Sequence, residues 1–327
     1  MKNFEYARAE SFKQAATFCV EQDSKAIAGG TNLIDLMKLQ VETPSRLIDL
    51  NSIDDRGIEK LDGDLRIGAL ASNTAVAVDQ RVREDYPVLA KAILGGATQQ
   101  LRNQASVGGN LGQRTRCFYF TNIDQPCNKR DPGSGCGALT GVARIHAILG
   151  ASGHCIATYP GDMAVAMTAL DAQMEISGPA NKSRMVAVRD FHRCPGETPE
   201  RDNILEPGEL VIAVHLPAPV DGKQLYRKVR ERSSYAFALC SVAAIVDVKR
   251  GKIARADLAF GSIAPKPWVD ERLSQLLVGE KPNMALFEKA ADMLVDDARG
   301  VGDNDYKIPL VRRTLMATLC EATEISA

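Results

Sequence analysis

Hydrophobic periodicity stops at Cys117 and stays absent to Gly137, where the chain reads CFYFTNIDQPCNKRDPGSGCG. Loops of this length inside a compact domain are uncommon unless they carry function, and a run of Asn, Asp, Pro and Gly supplies neither a helical nor a strand repeat. Local secondary structure is not expected to order it, so something else must. Four of the chain's eight cysteines, Cys117, Cys127, Cys136 and Cys155, begin in this stretch and end just beyond it, while Cys19, Cys194, Cys240 and Cys320 are scattered singly. A disulfide scaffold would spread its cysteines over a much smaller chain. The scattered four read as small buried hydrophobes.

Nine, eight and eighteen residues separate the clustered cysteines, which matches neither the paired C-x-x-C of zinc ribbons nor the local spacing of bacterial ferredoxins. Spacing alone leaves the metal open. Arg114, Arg116, Lys129 and Arg130 flank the thiols. A four-thiolate iron-sulfur cluster is net negative, and such cations would offset its charge and raise its reduction potential. The plainer alternative is a solvated basic loop with reduced, unligated thiols.

The rest of the chain is ordinary globular sequence. Its 327 residues are 45% hydrophobic and 25% charged, enough for two or three domains. The formal net charge of -1 gives no basic field for nucleic acid or an anionic membrane. No apolar stretch reaches the ~20 residues of a membrane span, and the N-terminus lacks a signal-like apolar region. A soluble chain without an export signal of its own is expected, with no membrane insertion.

From the N-terminus, Glu10 to Glu21 reads as a helix, KAIAGG as a strand running into a glycine turn, TNLIDLMKLQ as a helix and RLIDL as a strand, together a βαβ-like unit. A strand at Leu65 to Leu70 and helical pieces at Val76 to Gln80 and Pro87 to Ile93 follow. ASVGGNL, Ala105 to Leu111, reads as a second glycine loop. Periodicity returns at Ala143 to Leu149, then come a helix at Asp162 to Leu170 and strands at AQMEI and LVIAVHLP. The PAPVDG run ending at Gly222 marks the best boundary, dividing the chain into 1–222 and 223–327. Beyond it, strands at Ala236 to Val248 and Ile253 to Ile263 precede helices near Glu271 to Leu277, Met284 to Leu294 and Tyr306 to Ala322, an α+β pattern.

Two glycine turns are candidate ligand sites. Ala28-Gly29-Gly30-Thr31-Asn32 joins a strand to a helix and offers free backbone N–H groups to a phosphate. It lacks the lysine of a Walker A loop and the third glycine of G-x-G-x-x-G. Ser106-Val107-Gly108-Gly109-Asn110 offers a second close approach to main chain. Two such turns favour a dinucleotide without saying which. In the basic run Tyr226 to Arg232 a lysine would stabilise negative charge on a flavin, if one were near, though such a run is more often a solvated face. The histidines His146, His154, His192 and His215 show no metal or triad spacing, and no G-x-S-x-G elbow occurs, so hydrolase machinery is not visible.

Taken in order, AGGTNLIDLMK, LRNQASVGGNLGQRTRC, YPGDMAVAM and YRKVRERSSYAFAL resemble the FAD-binding subunit of the xanthine dehydrogenase family of molybdenum hydroxylases, over essentially the whole chain. RTRC, QPCNKR, PGSGC and CIAT resemble the branch with an added cysteine segment, found in enterobacterial periplasmic aldehyde oxidoreductases and in 4-hydroxybenzoyl-CoA reductases, and are nearer the former. The resemblance implies an α+β chain: a vanillyl-alcohol-oxidase (PCMH)-type FAD-binding domain of two α/β subdomains, then a smaller α+β domain. It implies that Ala26, Ile27, Ala28, Gly29, Gly30, Thr31, Asn32, Leu33 and Ile34 form the FAD pyrophosphate loop. Ser106, Gly109 and Asn110 match the second FAD loop, Asp162 the family's acidic residue and Lys228 the lysine near the flavin. Gln113 and Ile212 occupy further flavin-lining positions. Cys117, Cys127, Cys136 and Cys155, in a loop from about 114 to 157, match the ligands of a 4Fe-4S cluster.

The same resemblance implies partners: a 2Fe-2S small subunit, a molybdenum-cofactor large subunit that oxidises an aldehyde, and an external electron acceptor. This chain then carries no catalytic residue of its own. It would work in the cytoplasm, or in the periplasm when exported with a partner. The alternatives are a free-standing flavin oxidase or dehydrogenase, which needs acid-base groups of its own, and a non-enzymatic protein with a structural zinc on the four cysteines.

Overall fold

The computed structural model describes residues 1–21, 23–179 and 182–325. Glu5–Arg8 (β1), Ser24–Ile27 (β2) and Arg46–Asp49 (β3) form a parallel sheet in the order β1-β3-β2. Helix Leu33–Lys38 makes the β2-to-β3 crossover, which is the βαβ unit expected from the sequence. The first helix spans Phe12–Phe18, shorter than expected, because the Ser11 side chain accepts the Gln14 N–H and fixes its start.

Ile58–Leu61 (β4), Asp64–Gly68 (β5), Gln173–Ser177 (β6), Ser183–Ala187 (β7) and Leu210–Leu216 (β8) build an antiparallel sheet in the order β4-β5-β8-β6-β7. Helices Asn73–Val78, Pro87–Gly95 and Asp162–Ala169 share one core with it, in which Ile67, Met174 and Val214 meet Leu89 and Met167. Every residue of Asp162–Ala169 after Asp162 is buried. A helix apolar all round must be covered on all sides.

The C-terminal part supplies the other cover. Lys223–Val229 (β9), Cys240–Lys249 (β10) and Lys252–Gly261 (β11) form an antiparallel sheet in the order β11-β10-β9. Arg250 and Gly251 turn the β10-β11 hairpin with φ of 54° and 72°, the left-handed pair that matches strand twist. Along β10, Val242, Ala244 and Val246 point to the helices Glu271–Leu277, Met284–Leu294 and Lys307–Thr323, while Ala243 and Ile245 point to the core around Asp162–Ala169. Both faces are buried, which is why this strand reads as a continuous apolar run instead of alternating.

Ala143 to Leu149 is neither helix nor strand. Its carbonyls are taken one after another by the C-terminal part. Tyr306 Oη donates to Arg144 O at 3.0 Å, Lys307 Nζ to Ile145 O at 2.8 Å, Asn304 Nδ2 to Ala147 O at 2.9 Å and Arg299 N to Ile148 O at 2.8 Å. Partners far along the chain thus supply the bonds that local structure would have given. Of the scattered cysteines, Cys240 and Cys320 are buried as expected and Cys19 is half-buried, but Cys194 is exposed, because the proline-marked loop that carries it runs over the surface.

Candidate functional site

The two glycine turns meet. A Cβ on Gly29 would stand 1.8 Å from Gln104 O, so this turn packs directly on the main chain leading into the second. Gly30 holds φ at 70°, a conformation that favours glycine. The N–H groups of Gly29, Gly30, Thr31 and Asn32 find no acceptor among the described residues. Asn32 Oδ1 accepts from Arg114 N at 3.0 Å, which fixes the amide, while its Nδ2 is buried with no partner among the described residues. Such unpartnered donors fit an anion with several oxygens.

The second turn is not the loop expected from its glycines. It is a short helix, Val107–Leu111, begun by Ser106, whose Oγ accepts Gly109 N at 3.2 Å. Tyr159 Oη donates to Asn110 O and Leu111 O, both at 3.1 Å, and His192 Nε2 lies 2.8 Å from Leu111 O, which together fix its far end. Burial pushes the His192 imidazole down to about 4, so it stays neutral.

Two cavities of about 730 and 650 Å³ adjoin these turns, and Thr31, Asn32 and Gly109 line both. Ala26 through Leu33 and Ser106 line the first. Asn110, Gln113, Asp162 and Lys228 line the second. An elongated ligand with a charged middle fits this plan, its two ends in the two cavities and its charge at the shared residues. Ile34 and Ile212 do not line either. Ile34 packs its Cδ1 against Gly30, and in β8 the lining residues are Leu210 and Val211.

Lys228 is paired. Its Nζ donates to Asp162 Oδ2 at 2.8 Å and to Gly95 O at 3.0 Å, and Tyr226 Oη donates to Asp162 Oδ1 at 2.6 Å. Both charged side chains are over nine-tenths buried, and a buried charge persists only when paired. The pair is a neutral, fixed dipole in the cavity wall. Arg116, expected beside the thiols, lines this wall too, with its guanidinium over the Phe237 ring. Its Nε is buried without a partner among the described residues, and burial lowers its pKa.

Cys117, Cys127, Cys136 and Cys155 line one small cavity together with Tyr119, Phe120, Pro126 and Ala157. All are free thiols, three buried and Cys136 half-buried. Burial pushes the Cys117 thiol up to about 12 and raises Cys155 as well. Among the described residues no three His, Cys, Asp or Glu side chains converge to hold a single metal ion. The donors are soft sulfurs grouped around a space, the chemistry that suits an iron-sulfur cage.

The segment around these thiols has more internal order than its composition suggests. Phe118–Thr121 forms one helical turn, and Phe120 is fully buried. Asn128 Oδ1 accepts from Gly133 N and Gly135 N while its Nδ2 donates to His154 O, tying three cysteine-bearing stretches together. The Arg130 guanidinium caps the carbonyls of Tyr119, Phe120, Ile123 and Gln125. Cys127 and Cys136 form an isolated antiparallel bridge.

The flanking cations do not face the thiols as free charges. Asp202 takes Arg114 Nε and Lys129 Nζ, each at 2.6 Å, and Glu42 takes Arg114 Nη1 at 2.6 Å. Burial works to raise the Asp202 carboxyl, but Arg114 and Lys129 outweigh it and hold it below the usual range. His146, set aside in the sequence, is the residue that reaches a thiol: its Nε2 lies 3.1 Å from Cys117 Sγ. Burial pushes its imidazole down to about 4.

Residues 2–219 match the family model described as the FAD binding domain in molybdopterin dehydrogenase, and residues 224–322 match the CO dehydrogenase flavoprotein C-terminal domain. The chain is 49% identical to the aldehyde oxidoreductase FAD-binding subunit PaoB of Escherichia coli, covering 98% of this chain and 99% of that one. It is 26% identical to the carbon monoxide dehydrogenase medium chain of Afipia carboxidovorans, over 96% and 93% of the two chains. Its fold is that of the solved Cu,Mo-CO dehydrogenase, with TM-score 0.77 at 23% identity over 99% of both chains. Quinoline 2-oxidoreductase from Pseudomonas putida 86 superposes with TM-score 0.75 at 23% identity, also over 99% of each. By fold, by both domain matches and by near-full-length identity, the chain belongs to the molybdenum hydroxylase family of oxidoreductases as its FAD-binding medium subunit.

Proposed function

We propose that this chain is the electron-transfer subunit of a molybdenum-dependent aldehyde oxidoreductase. It holds FAD across the two joined cavities and a 4Fe-4S cluster on Cys117, Cys127, Cys136 and Cys155. Electrons reach it from a molybdenum-cofactor large subunit through a 2Fe-2S small subunit, and leave to an external acceptor. The observation that carries this reading is the adjacency of Arg116 and Cys117. One residue lines the flavin-side cavity and the next lines the cysteine cavity, so a single peptide link spans the two sites. The 49% identity to an aldehyde oxidoreductase subunit supports the substrate class.

Bound FAD and a cluster supply electron transfer in pairs and singly. The chain's own residues bind and orient. The free N–H groups from Gly29 to Asn32 and the Asn32 amide take the diphosphate. Asp162 is bonded by both Lys228 and Tyr226, so it is held in place and serves to fix the wall against which the ring lies. On this reading the chain sits where its partners do, in the cytoplasm, or in the periplasm after export in their company.

The test is turnover of aromatic aldehydes with a dye acceptor, by the purified chain alone and by the chain with its partner subunits. The assembled enzyme is expected to turn over and the lone chain to give none, while its flavin still accepts electrons from dithionite. Aldehyde oxidation by the lone chain at the rate of the assembly would instead make it a free-standing oxidase.

A further inference from the structure

We infer that His146 is a positioning residue that donates its Nε2–H to the Cys117 sulfur and thereby raises the reduction potential of the cluster Cys117 ligates, an inference that rests on the cluster reading above. The contact is 3.1 Å and both side chains are buried. A ligating thiolate can only accept, so Nε2 must carry the hydrogen and Nδ1 is left bare. Nδ1 is buried and finds no partner among the described residues, which a lone pair tolerates better than an N–H would. His154 lines the cysteine cavity, but its Nε2 is turned to Glu197 at 2.9 Å and its side chain is 47% exposed.

The mount of His146 is what makes the bond directional. Its neighbours' carbonyls are held by Lys307 on Ile145 O and Asn304 on Ala147 O, and both of those residues are fully buried. Lys307 Nζ also donates to Ser262 O at 2.7 Å, and Ser262 lines the flavin-side cavity. The C-terminal domain therefore sets where the imidazole stands. A hydrogen bond to a ligand sulfur stabilises the more negative, reduced cluster, which moves the potential up.

The test uses the chain assembled with its partner subunits, as parent, His146→Phe and His146→Gln, with iron, sulfide and FAD assayed before EPR-monitored redox titration. Expected are equal contents and, in His146→Phe, an about tenfold fall in the cluster's one-electron reduction constant, a drop of about 59 mV. His146→Gln, which keeps an N–H donor, should stay nearer the parent, and the FAD midpoint should not move. A cluster midpoint unchanged in His146→Phe, with iron retained, overturns this inference alone. A parent without iron overturns the cluster reading and this inference with it. If His146→Phe loses its cluster, retention in His146→Gln supports the donated bond, and loss in both variants overturns it in favour of a space-filling role.

Discussion

Alanine at position 29 should leave the purified chain nearly free of flavin. The new Cβ would stand 1.8 Å from Gln104 O and 2.6 Å from Gln104 C, both main-chain atoms with no rotamer to yield. The first turn must then move away from the second, and donors that need about 2.7–3.2 Å to an oxygen lose their geometry. Losing two hydrogen bonds to a charged group, at about 1.5–3 kcal/mol each, weakens binding by at least about 10²-fold. Gly153→Ala is the control, since a Cβ there meets nothing within 4 Å. Flavin absorbance per chain reads both. Full flavin in Gly29→Ala would remove this turn from the binding site.

Cys127→Ser should lose its iron and keep its FAD. A serine hydroxyl is a harder and much less acidic donor than a thiol and is a poor substitute on iron. Cys127 lines the cysteine cavity and does not line the flavin cavities, so the second cofactor is untouched by the change. Iron and acid-labile sulfide are expected to fall from about four of each per chain to a small remainder, with the flavin bands intact. Undiminished iron would exclude Cys127 as a ligand.

What could be read from sequence was what local pattern determines. The helices Glu271–Leu277 and Met284–Leu294 match the expected ranges because Asp270 and Asn283 cap them and their apolar spacing is long and regular. The Gly29 turn was legible for the same reason, a strand and a helix flanking it. Val107–Leu111 hid its helix because two glycines lower the propensity, and only the Ser106 cap reveals it.

The electrostatics are not legible in local sequence because the charge partners lie far along the chain. Arg114 and Lys129 look like free cations beside the thiols, yet Asp202, more than seventy residues on, takes both. The Lys228 pairing with Asp162, 66 residues earlier, is likewise invisible in local pattern. His146 carries no local signal: its partner Cys117 is 29 residues away, and Asn304, Tyr306 and Lys307, whose side chains bond the carbonyls of its segment, lie far along the chain.

The most direct test of the account is a cofactor count on the chain purified together with its partner subunits and then resolved from them without denaturation. Iron, acid-labile sulfide, zinc and FAD are measured per chain on the same sample. One FAD with about four iron and about four sulfide is expected, and no stoichiometric zinc. FAD with zinc and no iron, or FAD with neither metal, would contradict it.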